Sequence, residues 1–190
     1  LVESRPDAPT PTDIRAQPPT ETMVVRTEED LQALVEALEN APVISFDVET
    51  TGLDKMTAGL VGLCLAVDSP VSYYVPVGHL DQVEQNTEGQ LSLFAGEEIL
   101  APNQLPLEQV LSAIRPAMTD PSIPKIAHNA KFDYTILDLH GLRVSPIGFD
   151  TMIGEWLTNP ATKHKGLKDL ARHRLGIEMT DIRELIGKGR

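Results

Sequence analysis

A chain of 190 residues is long enough for one domain with a real hydrophobic core and too short for two full ones. Sixteen Lys and Arg against 28 Asp and Glu leave a net charge of −12, and 41% of the residues are hydrophobic, which excludes a basic nucleic-acid coat protein and wholesale disorder alike. No apolar run approaches the roughly 18 residues of a membrane span, no leader pattern opens the chain, and the single cysteine, Cys64, permits no internal disulfide and suits a reducing cytosol.

Residues 1–22 hold five prolines (Pro6, Pro9, Pro11, Pro18 and Pro19) and almost nothing apolar, so they are expected to form a linker or arm ahead of a domain at 23–190. Leu1 as first residue is expected for a piece of a larger translation product. Met23-Val24-Val25 reads as a short strand, and Thr27 then caps a helix on which Leu31, Leu34, Val35 and Leu38 recur at helical spacing. Residues 43–49, 60–67 and 71–77 read as strands, broken by Gly59, Asp68-Ser69-Pro70 and Gly78. The stretch 82–104 fits neither period and is expected to be a long loop or insertion. Leu107, Val110, Leu111 and Ile114 mark a helix, 123–127 a strand, and 129–139 a helix stopped by Gly141. A short strand ends near Phe149, and two further helices carry Met152, Ile153, Trp156 and Leu157, then Leu167, Leu170 and Ala171. Three strands in hairpin order followed by alternating helices and strands predict an α/β fold, a mixed sheet flanked by helices on both faces.

The charge is uneven. Residues 163–190 hold eight basic and four acidic side chains, a net of +4, so the other 162 residues carry −16. An acidic body with a basic end suits a metal–carboxylate enzyme acting on a polyanion, although an ordinary solvated basic helix accounts for the same run.

The most informative segment is Ile44-Ser45-Phe46-Asp47-Val48-Glu49-Thr50-Thr51-Gly52-Leu53-Asp54. Alternation on a strand sends Asp47 and Glu49 to one face and Ile44, Phe46 and Val48 to the other. Two adjacent carboxylates at the end of an apolar strand repel each other, and a hard divalent cation would compensate them; a strand running into a solvated turn is the plainer alternative. In His128-Asn129-Ala130-Lys131-Phe132-Asp133, Asn129 falls where a helix is capped and Asp133 lies four residues on, beside a core-facing stripe of Phe132, Ile136 and Leu139. An Asp near a helix start is also favoured by the helix dipole without any function.

Together, 46–54 resembles the first motif of the DEDD-type 3′-5′ exonucleases and 129–133 the second. More narrowly, these segments with 60–67, 73–79, Phe149-Asp150-Thr151-Met152 and Ile186-Gly187-Lys188-Gly189-Arg190 resemble, in order, the proofreading domain of bacterial family A DNA polymerases, over roughly 24–190. The resemblance implies a ribonuclease-H-like fold and two divalent ions, Mg²⁺ or Mn²⁺, with Asp47 bridging both, Glu49 on the ion of the attacking water and Asp133 on the leaving-group ion. It also implies that Thr50 and Leu53 contact the terminal nucleotide, Leu53 against its base, and that Asn129 touches a phosphate. The family's third motif, a Tyr-x-x-x-Asp helix, is spelled only by Tyr134 and Asp138. Asp138 is five residues past Asp133, about 140° around the same helix, and cannot close the site from the opposite side. The chain is therefore expected to lack the third motif and to be nearly inactive by itself.

Two signals remain. Gln90-Leu91-Ser92-Leu93-Phe94 spells a pentapeptide by which bacterial replication proteins dock on the sliding clamp, with Leu93 and Phe94 entering an apolar pocket and Gln90 bonding backbone; Leu91, Leu93 and Phe94 folding back on the domain is the alternative. Lys165, Lys168 and Arg172 fall at helical spacing opposite Leu167, Leu170 and Ala171, as a backbone-steering stripe for DNA or a solvated face. His164 and His173 have too few sequence partners for a metal role. The resemblance implies a single-stranded 3′ end of DNA and a polymerase domain of the same parent chain as partners, in the bacterial cytoplasm at the nucleoid and away from membranes, and the pentapeptide adds the sliding clamp as a candidate partner. Two rivals stand beside it, a non-catalytic structural or DNA-docking domain of a polymerase and an RNA-trimming exonuclease of the same superfamily.

Overall fold

The computed structural model describes residues 21–81 and 100–179. In them the chain runs β1 (Glu21–Val24), α1 (Glu28–Glu39), β2 (Ile44–Thr50), β3 (Leu60–Ala66), β4 (Val71–Pro76), α2 (Leu107–Thr119), β5 (Lys125–Ala127), α3 (Ala130–Leu139), β6 (Ile147–Asp150), α4 (Thr151–Thr158) and α5 (Leu167–Leu175). The six strands form one mixed sheet in the order β1-β4-β3-β2-β5-β6. β2, β3 and β4 pair antiparallel as the hairpin order requires, while β1 joins β4, β5 joins β2 and β6 joins β5 in parallel. With its flanking helices this is the expected α/β architecture. Among the described residues, no helix is long and apolar enough to cross a membrane.

The sheet with α1, α2 and α3 makes one compact unit, Thr20–Asp150, and α4 and α5 belong to a second that includes Thr151–Arg190. In the first, Ile44, Phe46 and Val48 of β2 enter a core with Leu63 and Leu65 of β3 and Val75 of β4. Leu31, Leu34 and Leu38 of α1 and Val110, Leu111 and Ile114 of α2 join that core, and the two helices pack on each other. α1 starts on a capping box: Asp30 N–H donates to Thr27 Oγ1 at 3.1 Å and Thr27 N–H to Asp30 Oδ2 at 3.0 Å, as the spacing predicts. In the second unit, Glu155 of α4 is buried and accepts from Arg174 Nε of α5 at 2.9 Å, Leu170 is buried, and the rings of His164 and His173 stack at 4.7 Å.

Three expectations are corrected. β1 begins at Glu21, inside the stretch read as an arm, because Glu21 N–H donates to Pro70 O at 2.9 Å and the strand pairs along β4; residues 1–20 lie outside the described residues. Leu139 is 54% exposed, and the buried stripe of α3 is Ala130, Asp133, Ile136 and Leu137, so Asp133 itself faces inward. Lys165 precedes the N-cap Gly166 of α5 and so lies outside the helix that carries Lys168 and Arg172.

A fully buried lysine ties the unit together near β5. Lys125 Nζ donates to Asp120 O (2.8 Å), Ile123 O (2.7 Å) and Ser145 O (2.8 Å), which uses all three of its protons. Removing this internal cation strands three carbonyls. Lys125→Met is therefore expected to lower unfolding free energy by about 2–4 kcal/mol in denaturant titration, and an unchanged midpoint would contradict that role for the ammonium.

Candidate active site

β2 is longer than the strand beside it. Only Ile44 and Ser45 pair with β5, so among the described residues the continuation of β2 toward Thr50 has no strand on that side. α3 fills the gap with a side chain: Val48 N–H donates to Asp133 Oδ1 at 3.2 Å. That bond holds the 3%-exposed carboxylate of Asp133 against β2, where Asp47 and Glu49 face away from the core as alternation predicts. Asp133 thereby lies near enough to Asp47 for the two carboxylates to repel, and Asp47 is in turn close to Glu49.

The start of α3 is held differently from the expectation. Asn129 occupies the N-cap position with left-handed backbone (φ 60°, ψ 44°), and its side chain makes no capping bond. Asp150, at the end of β6, does that work: Asn129 N–H donates to Asp150 Oδ1 at 3.1 Å and Ala130 N–H to Oδ2 at 2.8 Å. The sequence signal was an acidic residue closing a parallel strand, where a carboxylate meets the positive end of a neighbouring helix.

Electrostatics set the chemistry. Burial, then the nearby Glu49, raises the Asp47 carboxyl above its ordinary value. Burial, then Asp47, pushes Asp133 up to about 7 against the pull of the Val48 hydrogen bond, and Asp150 adds to the push. Among the described residues, no Lys or Arg forms an ion pair with any of the three. Cys64 stands directly across from Asp47 on β3, and its sulfur and the oxygens of Asp47 and Glu49 lie within 4.8 Å of one another. Burial and the three carboxylates push its thiol up to about 12. A soft, protonated thiol is a poor ligand for a hard cation, so the oxygens of Asp47 and Glu49, with Asp133 near Asp47, are the groups here that could hold a divalent ion.

The other sequence-predicted residues divide by place. Thr50 ends β2, and its hydroxyl donates to Gly52 O at 2.8 Å within the turn that follows. Asp54 stiffens that turn by accepting from Met56 N–H and Thr57 Oγ1, both at 3.1 Å, and Leu53 stands on it 90% exposed. Asn129 is exposed just past β5, which runs parallel to β2, so Thr50, Leu53 and Asn129 share the strand-end edge with the carboxylates. Lys165, Lys168 and Arg172 belong to the second unit, where Arg172 pairs with Asp169 at 3.4 Å. Gln90, Leu91, Leu93 and Phe94 lie outside the described residues. Sequence reasoning gave no role to Asp150, Cys64, Tyr74 or His79. On the Asp47 face a groove of about 330 Å³ runs over Ser45, Cys64, Ala66, Ser72 and Tyr74.

A family profile described as 3′-5′ exonuclease matches residues 22–190. DNA polymerase I of Chloroflexus aurantiacus is 37% identical over 189 residues, 98% of this chain and 17% of that protein. DNA polymerase I of Pseudomonas aeruginosa is 30% identical over 169 residues, 87% of this chain and 16% of that protein. The chain thus spans about a sixth of the length of these curated relatives. Among solved structures, the Trypanosoma brucei RNase D–GMP complex aligns with TM-score 0.64 at 17% identity, over 87% of this chain and 46% of that one. Brucella melitensis NrnC with bound Mg²⁺ aligns with TM-score 0.54 at 20% identity, over 85% and 63%. At these identities the structural likeness shows the fold.

The Asp133 shift has a measurable sign. In metal-free buffer the folded chain keeps the Asp133 proton up to about 7, whereas the unfolded chain loses it near 3.8. The extra proton bound by the folded state makes its stabilising contribution complete below the lower value and lost as pH rises through the upper one. The melting temperature in EDTA is expected to fall between pH 5 and pH 8 with a slope that Asp133→Asn flattens; an equal slope in that variant would contradict the assignment.

Proposed function

Because the chain belongs to the 3′-5′ exonuclease family, we propose that it is the proofreading exonuclease domain of a bacterial DNA polymerase I, removing 3′-terminal nucleotides from single-stranded DNA ends. The observation that carries this reading is the convergence of Asp47, Glu49 and Asp133, through the Val48 hydrogen bond, into one uncompensated carboxylate site. A docking domain without catalysis would have no use for a buried Asp133 held beside Asp47, where burial and mutual repulsion raise the proton affinity of both. The curated relatives at 30% identity and above are DNA polymerases, which favours DNA over RNA as substrate.

Two divalent ions, Mg²⁺ or Mn²⁺, held by these residues would supply an activated water, charge stabilisation on the phosphate and help for the departing 3′ oxygen. In this reading Asp47, central on β2, would serve both ions, Glu49 the one with the attacking water, and Asp133 the one at the leaving group. Thr50, Leu53 and Asn129 line the same edge, with exposed Leu53 packing on the terminal base and Asn129 meeting a phosphate. Such contacts read backbone and stacking and carry little sequence information, as removal of any mispaired nucleotide demands. Lys165, Lys168 and Arg172 attract the strand through its phosphates. The partners of this reading are the polymerase domain of the parent chain and, through Gln90–Phe94, the sliding clamp, in the bacterial cytoplasm at the nucleoid. Loss of clamp retention on replacing Leu93 and Phe94 by Ala would support that docking, and unchanged retention would remove it.

Asp138, the one acidic residue spaced from a tyrosine as the third motif requires, is bound to Arg143 at 3.1 Å. The 190-residue chain alone is therefore proposed to lack the third motif and to be nearly inactive, and vigorous Mg²⁺-dependent digestion by it would refute that. In the parent polymerase, Asp47→Ala or Asp133→Ala is expected to slow release of a labelled 3′ nucleotide about 100-fold or more while primer extension continues. Full-rate release by Asp47→Ala would overturn the reading.

A further inference from the structure

The face of the sheet that bears the carboxylates also carries a clamped phenol. Cross-strand register runs Asp47–Cys64–Tyr74 in one row and Glu49–Gly62–Pro76 in the next. Gly62 leaves the place opposite Glu49 without a side chain, and Tyr74 leans along its strand to fill it. A Cβ on Gly62 would collide with Tyr74 Oη and lie 2.6 Å from Cζ. Directly opposite Cβ positions are about 5 Å apart, so the hydroxyl stands alongside the arm of Glu49.

The phenol is fixed from outside. Tyr74 Oη and His79 Nε2 share a 2.6 Å hydrogen bond, with the rings edge to face at 5.9 Å. His79 is itself gripped by Gln104: His79 N–H donates to Gln104 Oε1 at 3.0 Å, and Gln104 Nε2 donates to His79 O at 2.9 Å and Ala101 O at 3.0 Å. His79 is exposed, so water could satisfy the Tyr74 hydroxyl equally well; what the imidazole adds is a fixed direction. Burial, then Cys64 and Glu49, raises the Tyr74 hydroxyl above its ordinary value, as expected for a phenol facing these groups.

We propose that Tyr74, clamped by His79 and seated over Gly62, is a positioning residue for Glu49, closing off the arc of that long side chain that leads away from Asp47. Glu49 then loses less rotational freedom when a divalent cation binds. The inference rests on the reading of Asp47, Glu49 and Asp133 as a cation site.

Titration of the 190-residue chain with Mn²⁺ alone, by calorimetry or by the paramagnetic resonance of the free ion, separates the two. Tyr74→Phe and His79→Ala are each expected to weaken Mn²⁺ binding about five-fold, the loss of one hydrogen bond's worth of order. The double variant should be no worse than either single one, Gly62→Ala should match them by displacing the phenol, and His79→Gln should recover part of the loss. Tyr73→Phe, on the core-packed face of the same strand, controls for stability. Tyr74→Phe binding as tightly as the unaltered chain, or weakening only as far as Tyr73→Phe does, overturns the positioning role. Failure of the unaltered chain to bind Mn²⁺ instead overturns the cation reading on which it rests.

Discussion

The hydrogen bond from Val48 N–H to Asp133 Oδ1 is the constraint from which the site follows. β2 must outrun β5 for Asp47 and Glu49 to reach the strand-end edge, and a strand that outruns its neighbour leaves a backbone donor to be satisfied. A carboxylate on α3 does so without adding another strand, and brings a third negative group to the pair already there. A hydrogen bond to a charged group contributes about 1.5–3 kcal/mol, which does not offset both the burial of Asp133 and its repulsion from Asp47. The residual is expressed as a raised proton affinity, which a bound divalent cation would relieve.

The molecule contains the opposite arrangement in Lys125, a buried cation in a cage of three carbonyl oxygens. There the charge is part of the fold and its partners are complete. At the carboxylate site the oxygens are present and no side-chain cation pairs with them among the described residues. Asp150 marks the boundary between these cases: it is acidic and 9% exposed, yet two backbone N–H groups at the start of α3 occupy it and so hold Asp133 in place.

Much of this was legible in the sequence because it is local. The period-two alternation of Ile44, Phe46 and Val48 assigned the faces of β2 correctly, and Thr27 marked the cap of α1. Where the outcome depended on a distant partner, local reading went astray. Asn129 has the residue type of a cap, but its left-handed backbone and the arrival of Asp150 from 21 residues away give that task to another side chain. Leu139 continues an apolar spacing, but the tether of Asp133 to β2 turns the helix so that Leu137 faces in. Tyr74 and His79 are five residues apart and meet where the chain bends at Val77 and Gly78 after β4, a geometry without a periodic signature.

Nuclear magnetic resonance of the Val48 amide proton tests the central claim most directly. With no divalent ion present its shift should titrate with a midpoint near the value of about 7 held by Asp133, and saturating Mg²⁺ or Mn²⁺ should move that midpoint to lower pH. An amide shift that is flat from pH 5 to 8, or that titrates identically with and without the ion, would contradict the account.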